Sequence, residues 1–439
     1  MVPVENSPAL PQTVDVAIVG GGIVGAAAAF YLAQSGQSVA LLEKGLIGAE
    51  QSGRNWGWVR VAGRDLREIP LALRAQEIWP GLAAALGADL GYRRTGIVYV
   101  EKTEAARTRH LTWIAQARPL GAAPVHLSPA EVAEMVPGLD WRCHGALYLP
   151  EDGRAEPQAA APAFANAARQ LGAFVHQGCA VRALDIEAGR VAGVITEAGR
   201  IRARRVIVAA GAWSSHFLAR AGVRLPQLKV LSSALRTTAF DAGVEPCMSF
   251  SDFALRKRQD GGYSLASSAT SVSQISPDSF RFMFDFLPAL RLEYRALKLR
   301  FGRAFFSELI AHRHRPIEQP SIYEAVRILD PEPDAAALKS VMETIGKAIP
   351  AFAGAQVAQS WGGMIDTTPD VIPVISEVAQ LPGCLIGTGF SGHGFGVGPA
   401  AGELLAQMAS GVTPTLDPKA FALARLVGPE RRIEIQKWL

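Results

Sequence analysis

Two glycine clusters and one acid determine the chemistry this chain can carry. The first cluster, Gly20-x-Gly22-x-x-Gly25, follows the apolar run Val14–Val19 and opens an alanine-rich segment, Ile23–Ser35, closed by Gly36. A second apolar run, Ser38–Leu42, ends at Glu43. Each part has a physical task. Gly20 permits a tight turn, Gly22 lets a pyrophosphate approach the backbone, and Gly25 lets helix and strand pack closely. The helix N-terminus presents N–H groups and partial positive charge to phosphates. Glu43 can accept hydrogen bonds from ribose hydroxyls, and its charge argues against a 2′-phosphate. The second cluster runs from Gly387 through Gly389, Ser391, Gly392, His393, Gly394 and Phe395 to Gly398, ahead of a helix expected over Pro399–Ser410. It again lets backbone amides reach an electron-rich ligand.

Other residue types suit a substrate. The loop Arg54-Asn-Trp-Gly-Trp-Val-Arg60 holds two tryptophans and two arginines, so Trp56 or Trp58 can wall a pocket or pack in a core. His393 can hydrogen-bond a flavin or substrate, or be held structurally by its glycine loop. Asp366 can meet an amine or cap the turn that follows it. Arg256 and Arg327 are further candidates for substrate anions.

Periodicity places these residues on elements. Strand, glycine turn, helix and strand within about 30 residues form a βαβ unit. A helix is expected over 71–87 and another over 157–172, with strands at Val175–Leu184, Val191–Thr196 and Ile201–Ala209 and a turn at Gly189. Alternating runs over 225–285 suggest the sheet of a second domain. From Leu287 to His312, Leu290, Tyr294, Leu297, Phe301, Phe305 and Leu309 recur at helical spacing amid Arg291, Arg295, Lys298, Arg300 and Arg303. That stretch reads as a packing helix or, alternatively, as a docking element for a membrane or electron acceptor.

The 439 residues suit two joined domains, and the excess of 44 basic over 40 acidic residues, +4, does not point to nucleic acid. Four cysteines lie far apart without ligand spacing, as expected of thiols in a reducing compartment, and no metal site is expected. Met1–Gln12 reads as a ragged lead-in, not a secretory signal. No apolar run reaches ~18 residues, so a cytoplasmic protein is the default, with peripheral contact at the inner face of a membrane as the alternative.

Three segments take the reading beyond "a dinucleotide": Val206–Ser214, Trp361–Asp370 and Gly387–Gly398. On these, and on Pro70–Trp79, the sequence resembles the D-amino-acid oxidase superfamily of flavoproteins, which includes the glycine and sarcosine oxidases and D-amino-acid dehydrogenase. The resemblance covers both ends of the chain and is poor over 225–330. It implies an α/β fold: a Rossmann-type, p-hydroxybenzoate-hydroxylase-like FAD-binding domain (12–90, 145–224 and 355–425) and a substrate domain of mixed sheet and helices (91–144 and 225–354). It implies that a C–N bond of an amino acid or amine is oxidised by hydride transfer to flavin N5, the imine then being hydrolysed. FAD would lie along Gly20, Gly22, Ile23, Val24, Gly25, Glu43 and Lys44, then Ser52, Gly53, Arg54 and Asn55. Val181, Ala210, Gly211 and Trp213 would line its path, with Gly389 and Ser391–Phe395 at the ring. Alignment on Pro70–Trp79 puts Arg60 where the superfamily binds a substrate carboxylate.

The departures are informative. Gly396 replaces the lysine that completes the carboxylate site. Ser264 and Ser268 fall near the lysine and histidine positions associated with oxygen, which favours an acceptor other than molecular oxygen. Gly363 replaces a flavin-tethering cysteine and the 51–60 loop has no histidine, so non-covalent FAD is expected. A 2-hydroxy-acid or polyol-phosphate dehydrogenase and a non-catalytic flavin subunit stand as alternatives.

Overall fold

A computed structural model describes residues 2–268, 271–293, 297–311, 316–428, 431, 433–436 and 438. The first strand, β1 (Thr13–Val19), is followed by helix α1 (Ile23–Gln34) and strand β2 (Val39–Leu42). β1 lies parallel to β2 on one side and to Gly199–Val208 on the other. Cys384–Thr388 and Phe174–His176 extend the parallel set at its two edges. Strands buried on both faces need apolar residues throughout, and β2 is buried at all four positions. Val181–Glu187, Arg190–Thr196 and Gly199–Val208 form an antiparallel meander, turning at Ala188 and Gly189, both with positive φ. The lead-in is held to this sheet: Ser7 N donates to Val175 O (2.8 Å), and Asn6 Oδ1 accepts from Gln177 N (2.7 Å).

α1 is buried almost all round, between the sheet and the helices Pro157–Gln170 and Gly394–Ser410. Its alanines let those helices close in. A Cβ built on Gly402 would stand 2.5 Å from Ala27 Cβ and 2.7 Å from Ala28 N, so only glycine fits that crossing. The C-terminal helix begins at Gly394, not Pro399, because Pro399 is accommodated in its second turn and the glycines before it are helical.

A ten-stranded sheet forms the second layer system, with Leu228–Thr237 paired along its length with Val357–Thr367. The amphipathic helix Ala335–Ala348 covers it through Leu338, Val341 and Ile345. Two segments placed by sequence in the dinucleotide unit, Ala146–Leu149 and Val357–Thr367, pair in this second sheet instead. Their apolar or extended runs complete antiparallel ladders there, a long-range preference that local pattern does not carry.

The continuous helix expected over 287–312 is also corrected. The chain forms Met283–Glu293, a strand Leu297–Arg300 parallel to Ser271–Gln274, and a helix Arg303–Ala311. Tyr294, Arg295 and His312 lie outside the described residues. Ladder pairing and the break at Gly302 override the helical spacing. Similarly, Pro80 divides the 71–87 segment into Ile69–Ile78 and Leu82–Leu86.

Replacing Gly402 by Ala should force the C-terminal helix from α1, at a cost of about 1–3 kcal/mol by overpacking. Thermal unfolding of the variant should show a lower Tm by a few degrees; an unchanged Tm would mean the crossing is looser than described.

Candidate active site

The C-terminal ends of the parallel strands open onto one elongated cavity of about 780 Å³. One end is backbone. Gly20, with φ +106°, would place a Cβ 2.4 Å from Ala209 O, and a Cβ on Gly25 would lie 2.1 Å from Gly20 O. Gly20, Gly22, Ile23 and Val24 line the cavity, while Gly25 stays behind them as packing. Ser52 Oγ accepts from Ile23 N (2.9 Å), which caps the start of α1. Glu43 accepts from Gly21 N and Gly45 N (both 2.7 Å), one bond to each carboxylate oxygen, and burial pushes its pKa up, with Glu50 adding repulsion.

Glu50 organises the same end. It takes the Lys44 ammonium (2.6 Å), Leu329 N (2.8 Å) and the Trp213 indole N–H (3.1 Å), while Lys44 also sits 4.6 Å over the Trp213 ring. Val181, Ala210, Gly211 and Trp213 line the wall here. Arg327 is here too, its guanidinium paired with Glu197 (2.5 and 2.6 Å) and Lys44 O. Arg327 thus lines the end of the cavity beside Glu43 and Lys44, with its guanidinium already paired to Glu197. Arg54, also in the lining, donates to Ala49 O, Gly362 O and Asp330; Asn55 ties Gln51 O, Ser52 O and Gly57 N, and Gly53 does not reach the cavity.

In the middle stands Asp366, brought in by the last residues of Val357–Thr367 and 2% exposed. Its Oδ2 accepts from Gly389 N (2.7 Å), Thr388 Oγ1 (3.0 Å) and Gln227 Nε2 (3.0 Å). Burial pushes its pKa up to about 6 despite these donors. The carboxylate thus fixes the glycine loop; Gly389 itself is behind the cavity wall, with Phe390 to Phe395 forming the lining.

At the far end Trp58, Arg60 and Tyr99 face the second glycine loop. Trp58 meets Trp56 and Tyr99 edge-on, with centroids 5.3 and 6.0 Å away. The Arg60 guanidinium lies 5.9 Å over Tyr99 and donates to Ala62 O. Among the described residues no carboxylate lies within 4.0 Å of it. Asp152, fully buried, holds this turn by accepting from Val61 N (2.7 Å) and Ala62 N (3.0 Å). Arg64 is buried as well, donating to Arg60 O (2.8 Å) and His393 O (3.1 Å) and pairing with Glu68 at 3.3 Å. His393 is held neutral: burial, then Arg60 and Arg64, push its pKa well below the ordinary imidazole range.

Arg256 does not line the cavity. It is paired in the core with Glu156 (2.8 Å) and donates to Ala155 O, so its candidacy for a substrate anion is corrected to a buried structural ion pair. Ser264 is likewise off the cavity, under Arg256 and Arg258; Ser267 and Ser268 are the residues of that strand end that reach it. Sequence reasoning missed Glu50, Gln51, Arg64, Tyr99, Asp152 and Gln227. Of these only Glu50 and Gln51 carried a signal, their place just ahead of the Ser52–Asn55 loop.

The residues fit an extended flavin dinucleotide. Backbone at one end leaves no room for side chains, the acid Glu43 lines that end, and the polar atoms Trp58 Nε1 and His393 Nδ1 are buried without protein partners in cavity-lining residues. Residues 15–408 match the model of the DAO family, described as FAD dependent oxidoreductase, and the chain belongs to that family. It is an FAD enzyme. The structure of L-amino acid deaminase from Proteus myxofaciens, in complex with anthranilate, superposes with a TM-score of 0.92 at 30% identity, covering 97% of this chain and 96% of the other. Glycine oxidase of Geobacillus kaustophilus is 27% identical over 94% of this chain and 97% of its own length. The 4-methylaminobutanoate oxidase (formaldehyde-forming) of Paenarthrobacter nicotinovorans is 26% identical over 95% of this chain, which spans 46% of that protein.

Because the Asp366 carboxyl has a higher pKa folded than unfolded, its favourable contribution is present below pH 4 and is lost as pH rises through about 6. In the apoprotein, Asp366→Asn should remove that dependence, so that wild type minus variant stability falls by ~3 kcal/mol across this window. Denaturation curves that run parallel from pH 4 to 7 would contradict it.

Proposed function

We propose that the protein oxidises the C–N bond of an amine that carries a carboxylate, an amino acid or N-substituted amino acid, and that the imine is then hydrolysed. The observation that carries this is Arg60: a cavity cation with no carboxylate partner within 4.0 Å among the described residues, on a chain turn whose next two amides are held by the buried Asp152, and lining the same cavity as the second glycine loop. When bound, FAD supplies the acceptor for a hydride from the carbon that bears nitrogen. The chain's own residues do the rest. Arg60 binds the substrate carboxylate by a bidentate pair. Trp56, Trp58 and Tyr99 wall the substrate and keep water out, which strengthens that pair and aligns the C–H bond. Asp366, accepting from Gly389 N, would hold the loop Gly389–Phe395 against the flavin. Names of relatives that act on amino acids and methylated amines support the same chemistry.

Reducing equivalents then pass to molecular oxygen or to another acceptor. The aromatic segment 280–310 favours an acceptor reached at a membrane surface. Phe280, Phe284, Phe301 and Phe306 are exposed, and Arg281, Lys298 and Arg300 lie among them. Exposed apolar side chains with cations nearby in sequence, Arg281 and Arg300 also pairing with Asp278 and Asp334, suit an anionic lipid surface. Among the described residues no helix is long and apolar enough to cross a membrane.

Arg60→Ala should raise KM for carboxylated substrates by roughly 30- to 100-fold, as expected for loss of a charged hydrogen-bonded pair, and change turnover of the matching carboxylate-free amine by less than about threefold. Equal losses on both substrates would retire the carboxylate role. Holoenzyme should cosediment with phosphatidylglycerol vesicles more than with phosphatidylcholine vesicles, and Phe284→Ser with Phe306→Ser should abolish this; indifference to both would remove the docking surface.

A further inference from the structure

Oxidation of an ammonium substrate leaves one proton to place. The nitrogen must lose a proton before its lone pair can help expel the hydride. The cavity wall beyond Tyr99 contains a group suited to receive it. His110, on the helix Glu104–Ala117, lines the cavity, its ring centroid 6.5 Å from that of Tyr99, the same ring that Arg60 covers from 5.9 Å. Its Nδ1 is 2.9 Å from Glu101 Oε1. Glu101 has no exposed surface, and its other oxygen is 3.0 Å from Nε2 of His126. His126 belongs to the edge strand Val125–Leu127 and is 21% exposed. Three titratable groups therefore run without a gap from the cavity wall, through a buried carboxylate, to the surface.

The pairing sets direction. A carboxylate accepts only, so Nδ1 of His110 carries the proton toward Glu101 and leaves Nε2 as the free base. Glu101 bridges the two imidazoles, one on each carboxylate oxygen, so a proton held by His110 is one carboxylate away from His126. Burial alone would raise the Glu101 pKa, but the hydrogen bonds from His110 and His126 hold it below the ordinary carboxylate range. The other ionisable neighbours are Tyr99 with Arg60 beyond it, Arg109 on the same helix, Lys102 paired with Asp252, His144 paired with Glu104, and Glu131 beside His126.

We propose that His110, oriented by Glu101, accepts the proton of the substrate ammonium, and that His126 delivers a proton to solvent in exchange. The balance is complete: the substrate nitrogen loses one proton to Nε2 of His110, its carbon loses a hydride to the flavin, and His126 releases one proton to water. Glu101 and His126 act through His110 and are positioning and exit residues. This rests on the amine reading above.

The test is anaerobic flavin reduction by an amino-acid substrate, followed by stopped flow across a pH series with holoenzymes of wild type, His110→Gln, Glu101→Gln and His126→Gln. His110→Gln should reduce about 100-fold more slowly than wild type near neutral pH. The deficit should close to within about threefold above the substrate amine's own pKa, where the nitrogen arrives already deprotonated. Glu101→Gln should show the same convergence from a smaller deficit, and carries the test if His110→Gln does not retain FAD. In weak buffer with an indicator dye, His126→Gln should make proton release lag behind flavin bleaching. A deficit constant at every pH, or none, would overturn the proposal. If wild type is not bleached by any amine, the amine reading itself fails instead.

Discussion

The site rests on backbone packed too closely for side chains. Where β1, Gly199–Val208 and Cys384–Thr388 end together, a Cβ on Gly20 would meet Ala209 O at 2.4 Å, and one on Gly25 would meet Gly20 O at 2.1 Å. Gly402 continues the same constraint on the far side of α1, where only its lack of a side chain admits Ala27. The result is a floor of peptide groups on which a charged dinucleotide would meet backbone instead of side chains. Every other feature of the site is measured from that floor. Asp366 hangs the second glycine loop from it by accepting from Gly389 N, and Glu50 ties Lys44 and Trp213 to its other end.

The charges at the substrate end divide into two kinds. Arg64 and Asp152 are buried and spent on fixing chain: Arg64 joins the carbonyls of Arg60 and His393, and Asp152 takes the amides of Val61 and Ala62. Arg60 sits between them, close to the loop they hold and without a carboxylate of its own among the described residues. Buried polar groups satisfied in this way hold a binding cation in place at little further entropic cost when a ligand arrives. Burial first, and then the same two arginines, push the His393 pKa well below the ordinary imidazole range.

How far the sequence foretells this depends on whether a feature is local. The βαβ unit, both glycine clusters and the acid at Glu43 are encoded within short windows, by apolar runs and glycine positions that leave few alternatives. Asp152 and Gln227 act over long separations and have no local pattern. Arg256 and Arg327 show why a lone arginine is uninformative: each found a glutamate far along the chain, Glu156 and Glu197, and neither faces the substrate end. The 287–312 segment misleads for a different reason. Its apolar spacing is helical, yet Leu297–Arg300 gains a ladder with Ser271–Gln274, and the apolar residues it leaves, such as Phe301 and Leu309, remain exposed.

The central claim is that Arg60, which has no carboxylate partner within 4.0 Å among the described residues, selects carboxylated amines for C–N oxidation. Anaerobic addition of substrates to the yellow holoenzyme addresses it most directly, with the flavin absorbance followed after each. The account predicts bleaching by α-amino acids or their N-methyl derivatives, with the corresponding 2-hydroxy acids inert. Bleaching by 2-hydroxy acids and by no amine would contradict it.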